Sequence, residues 1–378
     1  MYNISTLNKI SPVGLSDFTD EYTVSDDIDK ADAILVRSQA MHDMTFSDSL
    51  LAIARAGVGV NNIPLDRCAE EGIVVMNTPG ANANGVKELV IAGMLLSYRN
   101  IVDAANWVQT LEDGELSVEK QVEKSKSRFK GNEISGKNLG IIGLGGIGVS
   151  IANAATALGM RVTGYDPFFS ARNALRLDSR VTVANEMMDV VPDADFLIAQ
   201  VHSTPATKHL ISSEVIDAMK DGAVLLNFAR APIVDEDAAL RALESGRLRN
   251  YVTDFAHSSV IGREGVIALP HLGASTDEAE DNCAVMAVHQ IREYIENGNI
   301  INSCNFPSVN LGPRKGTRIA ILSKADDSIL SDAAAVLNVK KIASESNDKY
   351  AYTLIETDDA VDDVAIKNDN IIRIRVIK

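Results

Sequence analysis

The chain is poor in cysteine, in aromatic residues and in basic charge, and each shortage excludes a class of protein. Its three cysteines, Cys68, Cys283 and Cys304, are odd in number and far apart. That excludes a disulfide framework and suits a reducing, cytoplasmic setting. No cluster of Cys, His or Asp has metal-ligand spacing, which disfavours metal catalysis. With 36 Lys and Arg against 52 Asp and Glu, the net charge is −16. Such a field repels nucleic acid and anionic membranes, so an anionic ligand must find a local positive site. The best apolar run, "LVIAGMLLSY", is too short to span a bilayer and reads as a buried helix. The start, "MYNISTLNKI", lacks the basic-then-apolar order of a signal peptide. There is no low-complexity tract and no short internal repeat. What is left is an ordinary globular composition, 46% hydrophobic and 23% charged, in a chain of 378 residues that can hold two or three domains.

Short apolar segments closed by turn residues recur along the chain. "ADAILVRS", "LLAIARAGVGVNN" and "GIVVMNTPG" come first, then a helical pattern over Asn84 to Asn106. A polar passage leads to a second series: "LGIIGLGGIG", "MRVTGYDP", "ADFLIAQVH", "GAVLLNFAR", "RNYVTDFA" and "VIALPHLG". This alternation predicts βα units with parallel sheets. After the long helix "STDEAEDNCAVMAVHQIREYIENG", Gly and Pro mark a linker in "INSCNFPSVNLGPRKGT". The tail then changes character: "TRIAILSK", a helix over "SILSDAAAVLN", "YAYTLIET" and "IIRIRVI" suggest a small ferredoxin-like α+β unit.

"LGIIGLGGIG" places Gly143, Gly145 and Gly148 in G-x-G-x-x-G order. The match alone is weak, because glycine turns without ligands are common. Here it follows an apolar strand, opens a helix, and is answered by Asp166 at the end of the next strand, 18 residues beyond Gly148. The glycines allow a tight turn, close approach of backbone to a pyrophosphate and tight helix packing. The helix N-terminus faces the phosphates. Asp166 would bond a ribose diol and repel a 2′-phosphate, which favours NAD over NADP.

Arg230 in "NFARAPIVDEDA" and His271 in "LPHLGAST" each follow a strand of this series. Ligands gather at the C-terminal ends of such strands. An arginine fork there suits a carboxylate, and a histidine suits proton transfer. Each alone has a plainer reading, an ion-pair arginine or a packed histidine. Beside a dinucleotide loop they favour hydride transfer coupled to proton transfer.

Together "ILVRS", "ARAGVGVNN", "NTPGANANGVKELV", "LGIIGLGGIG", "NFAR", "TDF", "LPHLGAST" and "YAYTLI" resemble the D-isomer-specific 2-hydroxyacid dehydrogenases along nearly the whole chain. The likeness is strongest to the branch that acts on 3-phosphoglycerate and carries a C-terminal ACT domain. The resemblance implies a flavodoxin-like substrate domain (1–98 and 280–306), an inserted Rossmann NAD-binding domain (99–279) and an ACT-like unit (316–378). It implies NAD-dependent oxidation of 3-phospho-D-glycerate to 3-phosphohydroxypyruvate, a step of L-serine biosynthesis, in a cleft between the first two domains. The partner would be a small phosphorylated 2-hydroxy or 2-oxo acid, and the assembly a homodimer or homotetramer. By the same resemblance Arg230 holds the carboxylate and carbonyl oxygen, and His271 exchanges the hydroxyl proton. The cofactor positions are Gly143, Gly145, Gly146, Ile147, Gly148, Asp166, Phe228, Ala229, Arg230, Asp254, His271 and Ala274. The substrate-lobe positions are Arg37, Ser38, Val58, Gly59 and Asn82. Arg37 would supply the local cation that a phosphate needs on an acidic protein.

The pattern fails in four places. The family's glutamate, which bonds the catalytic histidine, falls near Ser258 or Ser259 in "TDFAHSSVIGREG", where there is no carboxylate. A carboxylate there would stabilise the imidazolium and fix its tautomer. Three outcomes are open: Glu264 takes its place, the enzyme works with an unsupported histidine, or the protein is an NAD-binding paralogue with weak or no catalysis. Another small D-2-hydroxy acid is an alternative substrate. Ala231-Pro232 stands where the family favours two glycines, and the proline of "VHSTPATKHL" is displaced, with His202 read as structural. In the tail, Asp326, Asp327 and Lys341 stand where a serine-binding ACT domain carries other residues, so it is expected to assemble subunits without sensing serine.

Overall fold

In the computed structural model the chain forms two compact units, Met1–Asn82 with Asp277–Lys378, and Ala83–Thr276. The structure describes residues 1–326, 328–359, 361 and 366–378. Asp327 therefore lies outside the described residues. No helix among the described residues is long and apolar enough to cross a membrane.

The first unit opens with five strands: β1 (Tyr2–Leu7), β2 (Tyr22–Ser25), β3 (Ala33–Val36), β4 (Ala52–Arg55) and β5 (Val74–Met76). They form one parallel sheet in the order β2-β1-β3-β4-β5, the flavodoxin-like order. Strands β3 and β5 read as unbroken apolar runs, every residue buried, because both faces of the sheet are covered there. Leu35, Ala52 and Ala54 pack with Ala287, Val288 and Ile291 of the helix Asp277–Asn297, while Ile34, Val36 and Ile53 pack with Met41, Ile63 and Cys68. Each fully buried Ile or Leu contributes roughly 1.5–3 kcal/mol. Burial pushes the Cys68 thiol up to about 12 and the Cys304 thiol up to about 11, so neither offers a ready thiolate.

The second unit is built on seven strands: β6 (Asn138–Ile142), β7 (Arg161–Tyr165), β8 (Thr182–Val183), β9 (Phe196–Ala199), β10 (Ala223–Asn227), β11 (Leu248–Thr253) and β12 (Val266–Ala268). All pairings are parallel, in the order β12-β11-β10-β9-β6-β7-β8. This is the doubly wound Rossmann arrangement, with its topological switch point between β6 and β9. The helix expected over Asn84 to Asn106 is two helices, Ala83–Arg99 and Ile101–Val108, separated by Asn100 in the left-handed region at φ 51°. The first of them belongs to this unit. Gly93 brings it close to the sheet: a Cβ there would stand 2.9 Å from Phe228 Cζ and 3.3 Å from Val252 Cγ1.

The tail adds β13 (Thr317–Lys324), β14 (Val339–Ser346), β15 (Tyr350–Thr357) and β16 (Ile371–Ile377) to the first unit. They form an antiparallel sheet in the order β14-β15-β13-β16, with the helix Ser328–Val336 between β13 and β14. Alternate residues go to opposite faces. Ile319, Ile321 and Ile355 meet Ile329 and Ala333, whereas Ala320, Leu322, Tyr352 and Leu354 join the core under the helix Asp277–Asn297. Arg318, fully buried, is held by Glu356 Oε2 (2.9 Å from Nη2) and by the carbonyls of Asn297 and Gly312 (2.7 and 2.8 Å from Nη1).

Candidate active site

The glycine loop follows β6 at the switch point. Gly143 has φ 102°, and a Cβ there would lie 2.5 Å from the Gln200 carbonyl oxygen, so only glycine fits. At Gly148 a Cβ would lie 2.0 Å from the Gly143 oxygen. Gly145 and Gly146 differ, because nothing stands within 4 Å of a Cβ built on either. Two glycines are therefore required by the fold, and two leave a bare backbone surface at the N-terminus of the helix Gly146–Ala157. That N-terminus has no side-chain cap. An open, positively polarised cradle of this kind fits a dinucleotide pyrophosphate. Asp166 follows β7; its Oδ2 accepts from Leu144 N (2.9 Å) and its Oδ1 from Phe168 N (2.8 Å). These bonds tie the carboxylate to the loop and orient it.

Arg230, Asp254 and His271 follow β10, β11 and β12, three neighbouring parallel strands. They therefore share the sheet edge that carries the glycine loop. Arg230 is partly exposed, and its Nη1 donates to the Ala229 carbonyl at 2.6 Å. The Ala231-Pro232 departure folds as a 3-10 turn, Ala231–Ile233, with proline in its first turn, where its missing N–H costs nothing. His271 is exposed, with its ring centroid 5.0 Å from that of Phe255. Asp254 is buried; its Oδ2 accepts weakly from Gly273 N at 3.4 Å, and its Oδ1 has no partner. Burial pushes its carboxyl up, and the charges of His271 and Arg230 pull it back. The turn bearing His271 is packed against the helix Ala83–Arg99, where a Cβ on Gly85 would stand 3.0 Å from the Gly273 oxygen. Phe228 and Ala229 are buried behind Arg230, and Ala274 is partly buried. Ile147 lies in the first turn of the helix after the glycine loop. His202 is exposed, and its carbonyl caps Thr207 Oγ1 at 2.6 Å.

The substrate-lobe positions lie in the first unit. Arg37 and Ser38 follow β3, and Val58 and Gly59 lie in the loop after β4. Asn77 Nδ2 donates to the Val58 carbonyl at 2.6 Å, and Asn82 Oδ1 is buried without a partner. Arg37 Nη2 lies 2.7 Å from Glu280 Oε1.

Residues 91–273 match the model of the D-isomer specific 2-hydroxyacid dehydrogenase NAD binding domain. A hydroxypyruvate reductase of Thermotoga maritima is 33% identical over 277 residues, covering 70% of this chain and 85% of the relative. The chain belongs to the D-isomer specific 2-hydroxyacid dehydrogenase family. A D-3-phosphoglycerate dehydrogenase of Methanocaldococcus jannaschii is 33% identical over 82% of this chain and 59% of its own length, and one of Bacillus subtilis is 33% identical over 82% and 60%. The chain thus spans about three fifths of those relatives. The structure of NAD+-bound 3-phosphoglycerate dehydrogenase from Entamoeba histolytica superposes with a TM-score of 0.63 at 26% identity, over 80% of this chain and 98% of the other.

The loop after β11 carries Ser258 and Ser259 where the resemblance implies a glutamate. Ser259 Oγ lies 3.2 Å from Glu236 Oε2 and 3.1 Å from His257 Nδ1, and His257 Nε2 lies 2.7 Å from the same glutamate oxygen. The carboxylate that meets Ser259 and His257 is Glu236, from the first turn of the helix Glu236–Glu244; Glu264 is exposed. The acids at 235–237 sit at the start of that helix, about 20 residues before His257 in the chain, so the closing of Glu236 on it has no local signal in the sequence. Burial alone would raise the Glu356 carboxyl, but its bonds to Arg318 hold it below the usual range, with Lys341 Nζ 4.0 Å away. Asp326 Oδ2 accepts from Asn370 Nδ2 at 2.7 Å.

Proposed function

We propose that the chain is an NAD-dependent dehydrogenase that interconverts 3-phospho-D-glycerate and 3-phosphohydroxypyruvate, a reaction that would serve L-serine synthesis. The observation that carries the reading is the shared sheet edge: an arginine, a buried carboxyl and an exposed histidine on three adjacent strands, with a dinucleotide cradle at the switch point.

NAD, when bound, supplies the hydride acceptor. Gly145, Gly146 and the helix N-terminus behind them would hold its pyrophosphate, with Ile147 beside it and Asp166 on the ribose diol. Phe228, Ala229 and Ala274 would line the rest of its path. The Arg230 guanidinium exchanges its bond to its own loop for the substrate carboxylate and the oxygen that becomes a carbonyl. A ring nitrogen of His271 takes the hydroxyl proton as that carbonyl forms, and returns it in reduction. Asp254 stabilises the charged ring while the proton is held there. In this reading Asp254 replaces the family glutamate as the negative charge nearest the base, and Arg37 with Ser38, Val58, Gly59 and Asn82 binds the remainder of the acid.

The Thermotoga relative, named a hydroxypyruvate reductase and covered over 85% of its length, favours the unphosphorylated acid as a second reading. The C-terminal sheet is read as an ACT-like element of a homodimer or homotetramer that does not sense serine; Asp326 already spends its carboxylate on Asn370. Reduction of phosphohydroxypyruvate and of hydroxypyruvate, followed by loss of NADH absorbance, tests the function. Turnover of either supports a dehydrogenase, and saturable NADH binding without turnover points to a paralogue with a lapsed site.

A further inference from the structure

Arg37 reaches its place with little freedom. The backbone amides of Arg37, Ser38 and Gln39 converge on Asn8 Oδ1 at 3.3, 2.8 and 2.9 Å. Asn8 itself adopts φ 75°, a conformation that asparagine tolerates better than most residues. Arg55, from the end of the neighbouring strand β4, donates Nε to the Arg37 carbonyl at 3.0 Å. The loop after β3 is therefore fixed, and the Arg37 guanidinium is presented from a rigid base.

Glu280 meets that guanidinium at 2.7 Å. It sits in the first turn of the helix Asp277–Asn297, together with Asp277 and Glu278. The positive end of the helix dipole favours carboxylates in that turn. The following residue is anchored as well, since Asp281 Oδ1 accepts from Ser11 Oγ at 2.5 Å. Both partners of the Arg37–Glu280 pair are more than a third exposed, 38% and 41%. A pair of that exposure is weak and can be exchanged for another anion.

We propose that Glu280 is a specificity-determining residue that weighs against a phosphate at Arg37. The inference rests on the proposed dehydrogenase reading, in which Arg37 receives the far end of the substrate. A phosphate dianion must take the fork from Glu280 and then sit beside a carboxylate of like charge. A hydroxyl at the same position meets neither cost. Glu280 thus narrows the advantage that Arg37 gives to phosphorylated acids over unphosphorylated ones, without touching the reacting carbon.

The test is steady-state kinetics of the full chain and of Glu280→Gln with 3-phosphoglycerate and with D-glycerate, NAD being saturating. Glutamine keeps the size of the side chain and removes its charge. The expected result is a KM for 3-phosphoglycerate lowered about fivefold, with kcat and the D-glycerate KM changed by less than about twofold. The difference between the two substrates should shrink as salt is raised. Equal changes for both acids, no change for either, or a raised KM for 3-phosphoglycerate would overturn the proposal; the last would make Glu280 a support for Arg37. If neither protein oxidises either acid, the dehydrogenase reading fails. The role of Glu280 is then decided by calorimetric titration with inorganic phosphate: tighter binding to Glu280→Gln supports it, and equal or weaker binding refutes it.

Discussion

Glu236 Oε2 lies 2.7 Å from His257 Nε2 and 3.2 Å from Ser259 Oγ, so one carboxylate oxygen gathers two residues of the loop after β11. A glutamate introduced at Ser259 would enter a place that already holds a carboxylate. Ser259→Glu alone is therefore expected to lower stability by about 1 kcal/mol through like-charge contact. The double variant Ser259→Glu/Glu236→Gln should recover that loss and extend reduction to higher pH. Urea unfolding and pH–rate profiles of the three proteins check both parts; a pH profile of the double variant identical to that of the native chain would count against a carboxylate from this loop adding to the support that Asp254 gives His271.

Asp254 should trade stability for function. Burial raises its carboxyl in the folded state, so folding holds that proton more tightly than the unfolded chain does. The group's contribution is best below its unfolded pKa and is lost as pH rises through the folded value. Asp254→Asn has no such loss. Relative to the native chain it should gain stability between acid and neutral pH, while its reduction rate at pH 8 falls by about tenfold or more. Denaturant unfolding at pH 4 and pH 7, beside rate measurements, gives both readouts.

The four glycines of the loop should separate into two pairs. Gly148→Ala places a Cβ 2.0 Å from a backbone oxygen, and Gly143→Ala meets another at 2.5 Å with φ 102°. Each should destabilise the second unit by about 2 kcal/mol or more. Gly145→Ala and Gly146→Ala meet open space, so their melting temperatures should hold while NADH affinity falls. Thermal unfolding and NADH fluorescence titration distinguish the pairs.

The expected organisation was legible where chemistry imposes a local pattern. The strands of the second unit ended where glycine, aspartate or histidine closed an apolar run, and the strand order then brought Arg230, Asp254 and His271 to one edge. Strand β1 was missed because Ser5 and Thr6 sit within it; Ser5 is fully buried, a polar residue on a central strand. Strand β14 was missed for the opposite reason: it is an edge strand whose Lys340, Lys341 and Glu345 face solvent. The break at Asn100 depends on one residue turning left-handed, which composition does not announce. Nor could spacing reveal that Glu236 closes on His257 or Glu280 on Arg37, since both pairs join distant segments.

Arg318 and Glu356 give the tail its own test. Removing one partner of a buried pair strands the other charge, so Arg318→Met should cost about 3–5 kcal/mol, and Arg318→Met/Glu356→Leu much less. Glu356 is held below the usual carboxylate range, so the stability it contributes is present above the unfolded pKa and is lost as pH falls through the lower folded value. The penalty of Arg318→Met should therefore shrink between about pH 5 and pH 3. Urea denaturation across that window measures it.

The central claim is that His271 and Arg230 perform hydride-coupled proton transfer on a 2-hydroxy acid. It is tested most directly by NADH oxidation with phosphohydroxypyruvate and with hydroxypyruvate, comparing the native chain with His271→Gln and Arg230→Gln. The expected result is turnover by the native protein, a loss of about a hundredfold or more in kcat for His271→Gln, and NADH affinity retained in that variant. NADH binding with no turnover of either acid, or a His271→Gln rate equal to the native rate, would contradict it.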